Sequence, residues 1–155
     1  MTRVLVVATS RKTRGGITSV IKAHETGEQW QKYHCHWVQT HRDGNTIRKI
    51  WYFVTGLVDF LTRLPFYDIV HIHTADYGTE KRKRIFAHLT KLYRKKLIVH
   101  LHSSGQEFSI GGEHRDLYEY SFSHADKIIL LSNTWKDEAI KAFPQYENKM
   151  TVLYN

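Results

Sequence analysis

The sequence predicts an α/β fold in which a parallel sheet of about six strands carries helices on both faces, and three observations support it. Near-continuous aliphatic runs such as Ile69-Val70 and Leu97-Ile98-Val99 suit a parallel sheet, whose strands meet no water on either side. These runs alternate with stretches of helical periodicity, the pattern of successive β-α-β units with right-handed crossovers in a Rossmann-like domain. Two of them, Asp68 to His73 and Leu97 to Gly105, turn abruptly polar at their ends. In such sheets the carboxyl ends of the strands carry the ligand site. The tips His73-Thr74-Ala75-Asp76 and His102-Ser103-Ser104-Gly105 are therefore expected on one rim.

Val4 to Ala8 is a short apolar run followed by a basic loop and Gly15-Gly16, after which Ile17, Val20, Ile21 and His24 recur at helical spacing. A second strand is expected over Tyr33 to Val38, and a helix over Asn45 to Leu64, where Ile47, Ile50, Trp51, Val54, Leu57, Val58 and Leu61 mark one face. Pro65 ends that helix, because proline has no N–H for the ladder and clashes with the preceding turn. A strand at Ile69 to His73 precedes a helix over Thr79 to Arg94, with Ile85, Phe86, Leu89, Leu92 and Tyr93 on its apolar stripe. Leu97 to Leu101 is the fourth strand, followed by a loop through Gly111-Gly112 and a short helix near Arg115 to Ser123. After a strand at Lys127 to Leu131, Ser132-Asn133-Thr134 caps a helix running to about Phe143, since a side-chain oxygen there accepts from the first turn's unpaired amides. Thr151 to Leu153 completes the sheet.

With 155 residues, 41% hydrophobic, the chain suits one well-buried core and is short for two domains. Neither a signal peptide nor a membrane span is indicated, so a cytoplasmic location is expected. Cys35 is the single cysteine, which excludes an internal disulfide, and it reads as a small buried hydrophobe. Lys and Arg total 23 against 15 acidic residues, a net charge of +8 that favours nucleotide phosphates, anionic lipid or nucleic acid, or simply keeps the surface solvated. Nucleic acid is disfavoured because the basic residues cluster on one helix without an interleaved aromatic platform.

Gly15-Gly16 opens the first helix, where free amides and the helix dipole favour an anion and a missing Cβ admits a ligand; alone, the pair is equally a turn. It is neither the dinucleotide fingerprint nor a phosphate loop. His71 and His73, like His100 and His102, lie two apart on a strand and share a face, which raises a metal site. No acidic or cysteine ligand accompanies them, so no metal is expected, and His71 and His100 read as core histidines making one hydrogen bond. His73 and His102, last before the polar turn, are the candidates for the rim. The helix Asn45 to Leu64 is expected to be buried, with Phe53 and Phe60 off its main stripe. The alternative is an interfacial patch on anionic lipid, shared with Lys81, Arg82, Lys83 and Arg84.

Taken in order, these segments resemble the N-terminal half of family 4 glycosyltransferases, which have the two-domain GT-B fold. The strand from Val4 with Gly15-Gly16-Ile17 is similar to that family's first strand and glycine loop, and Tyr67 to His73 to its Asp-apolar-apolar-His-apolar-His strand. Val99 to Ser103 resembles its strand ending in an active-site histidine, Ala125 to Ser132 the run before its penultimate N-domain helix, and Val152 to Asn155 the start of the crossing to the second domain. The resemblance implies a retaining, metal-independent transferase using a nucleotide sugar, with the acceptor held mainly by this half, most simply in bacterial polysaccharide biosynthesis. By the same carry-over His102 is the catalytic residue, and Gly15, Gly16, His73, Asp76, Ser103 and Ser104 bind substrate.

The family's C-terminal, donor-binding domain is not represented in residues 1–155, so this half alone is expected to be inactive. The brief Val38 to Asn45 segment leaves little room for an extra edge strand, giving an expected order of 2-1-3-4-5-6 with Gly15-Gly16 beside His73. The competing reading is a basic membrane-recruitment or scaffold module without chemistry of its own.

Overall fold

A computed structural model describes residues 1–103 and 114–154. Strands β1 (Val4–Ala8), β2 (His36–Gln39), β3 (Ile69–Thr74), β4 (Lys96–Leu101), β5 (Lys127–Leu130) and β6 (Met150–Val152) form one parallel sheet in the order β2-β1-β3-β4-β5-β6, as expected. The helices are α1 (Gly16–Glu25), α2 (Glu28–Lys32), α3 (Thr46–Arg63), α4 (Tyr77–Leu92), α5 (Arg115–His124) and α6 (Asn133–Ala142). The chain winds one way from β1 to β2 and the other way from β2 through β6, so right-handed crossovers divide the helices between the two faces.

Because successive strand residues point to opposite faces, β1 and β2 each feed two cores. Leu5, Val7, Val70, Ile72, Leu97, Val99 and Leu101 pack with Phe60 of α3, Phe86 of α4, Phe122 of α5 and Ala139 of α6 in the main core. Phe60 and Phe86 meet edge to face at 5.1 Å and 82°, the geometry the ring quadrupole favours. Val6 and Ala8 on the opposite face join Ile21 and Trp37 in a smaller cluster, with Trp30 of α2 and a partly buried Cys35 against it.

Two aspartates stitch the amino-terminal edge of the sheet. Asp68, just before β3, accepts from the amide of Arg3 at 2.8 Å, and Asp126, just before β5, accepts from the amide of Leu97 at 2.8 Å. Each carboxylate thus ties the start of one strand to its neighbour. Asp126 also receives Lys91 at 2.9 Å.

Three features differ from the sequence expectation. The second strand starts at His36, because Tyr33 closes the short helix α2 by bonding Gln29 and His34 turns the chain with φ 42°. Helix α3 starts after Asn45, whose side chain caps it, but most of the stripe expected to be buried faces outward: Ile47 is 78% exposed, Trp51 66%, and Ile50, Val54 and Val58 are also exposed. The buried face runs through Gly56 and Phe60, with Phe53 and Leu57 against the core. Glycine decides this choice, since a Cβ on residue 56 would lie 2.5 Å from the Gln39 carbonyl oxygen, so only this side of α3 can approach the end of β2. Helix α4 departs in part: Phe86 and Leu89 of its expected stripe pack in the core, but Thr79, Glu80, Lys83, Ala87 and Thr90 are buried with Phe86 while Ile85 and Leu92 are exposed.

Gly56→Ala is expected to destabilise the fold by about 1–3 kcal/mol through overpacking, whereas Val54→Ala on the outward face stays within about 0.5 kcal/mol. Urea denaturation of both variants measures the difference.

Candidate active site

The reversal of winding opens a crevice beyond the carboxyl ends of β1 and β3, and a cavity of about 360 Å³ lies there. Its walls include Thr9, Arg14, Gly15, Gly16, Thr18 and His102. Gly15 caps α1 with no side-chain hydrogen bond, so the amides of the first turn are left for another acceptor. Its φ of 147° is a conformation L side chains rarely adopt, while a Cβ on either Gly15 or Gly16 would meet only open space. The two glycines therefore leave a clear approach to a helix amino terminus, which suits an anionic group. Arg14 adds a cation beside it. Thr9, Thr13, Arg14 and Thr18 were not singled out from the sequence, although Arg14 stands directly before the glycine pair.

Strand register decides how the histidines meet. His73 pairs with His100, and Thr74 with Leu101, so β3 runs one residue past His73 and His102 lies just beyond the ladder, its amide bonded to Thr74 at 2.7 Å. His73 is fully buried as a result, which corrects its expected place on the rim. It acts from behind: His73 Nδ1 and His102 Nε2 lie 2.9 Å apart, and one of the two rings donates. Burial, then the charges of Lys83 and His24, lowers the pKa of His102 to about 4. A neutral His102 can give or take a hydrogen bond in the cavity without carrying charge at neutral pH.

The four histidines form a stack on the α1 face, with ring centroids 4.3 Å apart for His71–His73, 4.8 Å for His73–His100 and 4.2 Å for His100–His102. Burial lowers His71 to about 3 and His100 to about 2, and it holds His73 well below its ordinary value. The single hydrogen bond expected of His100 is missing, since neither ring nitrogen has a partner among the described residues. His71, His73 and His100 bring ligand nitrogens within 4.8 Å of one another.

Asp76 accepts from the Thr79 amide at 2.8 Å as the cap of α4 and lines a different cavity, of about 620 Å³, between α3 and α4. Ile50, Phe53 and Ile85 supply its apolar wall, and His41, Lys49, Lys81 and Arg82 its basic one. The Ser103 hydroxyl is buried without a partner among the described residues. Ser104 and the Gly111-Gly112 loop lie outside the described residues.

Of the four basic residues expected on a surface patch, Lys81 and Arg84 are exposed, Arg82 is half-buried, and Lys83 is buried at 3% exposure. Lys83 faces inward because its position falls on the buried side of α4, where Nζ donates to the His73 carbonyl oxygen. Burial lowers its pKa to about 7, against the opposing pull of buried Glu80. Glu80, itself raised by burial, receives the Ser121 hydroxyl of α5. Lys83 thus buttresses the β3 end that carries His73.

A sequence profile for Glycosyltransferase Family 4 matches residues 4–155. The chain belongs to Glycosyltransferase Family 4. Two crystal structures of Anabaena Alr3699/HepE share the fold of this Family 4 chain. The complex with UDP aligns with 99% of this chain and 44% of that one, at TM-score 0.56 and 15% identity. The complex with UDP and glucose aligns with 100% and 44%, at TM-score 0.57 and 18% identity. The chain therefore spans less than half the length of these proteins. No curated protein matches it.

Replacing Lys83 by Met is expected to cost about 3 kcal/mol, because Glu80 loses its counter-charge and the His73 carbonyl its donor. Lys81→Gln should change stability by less than about 0.5 kcal/mol. Thermal melts of the two variants give the comparison.

Proposed function

We propose that this chain is the N-terminal, acceptor-side half of a retaining glycosyltransferase that moves a sugar from a nucleotide-sugar donor to a glycan or lipid-linked acceptor, most simply in bacterial polysaccharide biosynthesis. The observation that carries this reading is the meeting of Gly15 and Gly16, at the amino terminus of α1, with His102, at the end of β4, in one cavity. In the transfer, the bond from the anomeric carbon to the diphosphate breaks, and the nucleotide leaves with the electron pair. The acceptor hydroxyl forms the new bond and gives up its proton to the departing diphosphate oxygen.

Negative charge grows on the leaving diphosphate, and preorganised N–H donors aimed at it lower the barrier. The first-turn amides of α1 and the Arg14 guanidinium are suited to that role. With His73 donating to Nε2, His102 carries its proton on Nδ1 and offers that N–H to the sugar, so His73 is a positioning residue. No metal takes part in this chemistry. The UDP and glucose of the Anabaena structures are the class of donor in view.

The donor-binding half lies outside residues 1–155 on this reading, and one wall of a cleft cannot exclude water or orient the donor. The chain alone should melt cooperatively and transfer nothing. In the enzyme carrying both halves, His102→Ala should lower kcat at least about 100-fold with stability within about 1 kcal/mol. Robust transfer by the 155-residue chain, or full activity of the His102→Ala enzyme, defeats the proposal.

Peripheral attachment to an anionic membrane is favoured by a separate observation, the exposed Ile47, Ile50, Trp51, Val54 and Val58 of α3, with Lys81 beside Ile50 and Arg84 exposed on the α5 side of α4. Among the described residues no helix is long and apolar enough to cross a membrane. The α3–α4 cavity, apolar within and basic at its rim, would then receive a lipid-linked acceptor from the bilayer surface. Co-sedimentation with phosphatidylglycerol vesicles should fall sharply when Ile47, Trp51 and Val54 become Ser, and partly, in a salt-dependent way, when Lys81 and Arg84 become Gln. Equal binding by all three proteins at low salt would remove this patch as the membrane-binding surface.

A further inference from the structure

We propose that His71, His73 and His100 bind one late first-row divalent cation, with zinc the best fit, on the α1 face of the sheet behind the cavity that holds His102. The backbone brings the three together. Alternate residues on a strand share a face, and the β3–β4 register sets His73 beside His100 and His71 beside Ile98, so the three imidazoles converge from two adjacent strands. Their ligand nitrogens lie within 4.8 Å of one another. Tetrahedral zinc, with metal–nitrogen distances of about 2.0–2.1 Å, requires nitrogens about 3.4 Å apart, which small turns of the rings supply.

The hydrogen-bond accounting points the same way. His71 Nε2, His73 Nε2 and both nitrogens of His100 are buried with no partner among the described residues. An unpaired buried polar atom is costly, and four in one stack need a common explanation. A single cation would engage three of them. Burial also keeps these rings neutral, the form that ligates.

The donor set chooses the ion. Imidazole nitrogen without carboxylate suits zinc, copper or nickel and is a poor site for magnesium or calcium. A cavity of about 710 Å³ bounded by His24, Trp30, Cys35 and Ile98 reaches His71 and His73, giving the ion an entry path and a water for its fourth position. A ligating histidine usually donates its other N–H to a second-shell acceptor, and His73 Nδ1 lies 2.9 Å from His102 Nε2. The ion would therefore fix His73 as the donor of that bond while touching neither donor nor acceptor sugar, and transfer itself would remain free of metal chemistry.

The test is a Co²⁺ titration of the 155-residue chain followed by visible absorption, with Zn²⁺ as competitor. One equivalent should bind with the intense ligand-field bands of a tetrahedral site, and Zn²⁺ should abolish them while raising Tm. His71→Gln, at the partly exposed end of the stack, should weaken binding by more than the ~10- to 100-fold typical of a lost second-shell partner. His34→Gln, an exposed histidine elsewhere, should bind as the parent does. X-ray absorption of the Zn²⁺-loaded parent should count three imidazoles, a result independent of how any variant folds. Absence of a one-to-one complex, an unchanged affinity in His71→Gln, or fewer than three imidazoles overturns the proposal.

Discussion

Everything that follows in this fold depends on the reversal of winding between β1 and β3. Right-handed crossovers leave no choice of face once the strand order is set, so the first connection packs on one side and the later ones on the other. The reversal also leaves the crevice beyond β1 and β3 uncrossed by any connection, because neighbouring crossovers depart in opposite directions. Gly15 and Gly16 reach it from the first connection and His102 from the end of β4. Sequence separation between those residues is large, and only the order of strands makes them neighbours.

A second layer of organisation is polar and buried. Lys83, Glu80 and Ser121 join α4, α5 and the end of β3 in a region where apolar side chains would pack more cheaply. Removing one member leaves an uncompensated group, so such a network specifies geometry more than it adds stability. The geometry it specifies is the position of the His73 backbone, and His73 in turn meets His102.

Much of this was legible in the sequence, and the misses share a cause. The β1 run Val4–Ala8, the strand order, the cap Ser132, the opening of the first helix at Gly15-Gly16 and the place of His102 just past the fourth strand followed from local pattern and topology. The buried face of α3, and the polar part of that of α4, did not. Periodicity marks the most apolar stripe of a helix, whereas packing chooses the stripe that fits, and at Gly56 the fit requires the absence of a side chain. A lysine on a basic helix reads as solvated, and only the partner carbonyl at His73 explains the burial of Lys83. The convergence of His71, His73 and His100 depends on two strands being adjacent and in register, information that each strand lacks alone. The short helix α2 has too few residues to show a period.

The aspartates before β3 and β5 have a further consequence. In a parallel sheet a one-residue slip would turn every inward side chain outward. Asp68 and Asp126 grip neighbouring strands at the edge farthest from the crevice, so alignment is enforced at one end and the crevice opens at the other. On the proposed reading the two ends of the sheet are therefore separable in their failures: damage at the aspartate edge reaches the crevice only by misaligning whole strands, and its signature is an abundance defect shared by every substrate, while damage at the glycine and histidine edge would spare abundance and discriminate among ligands.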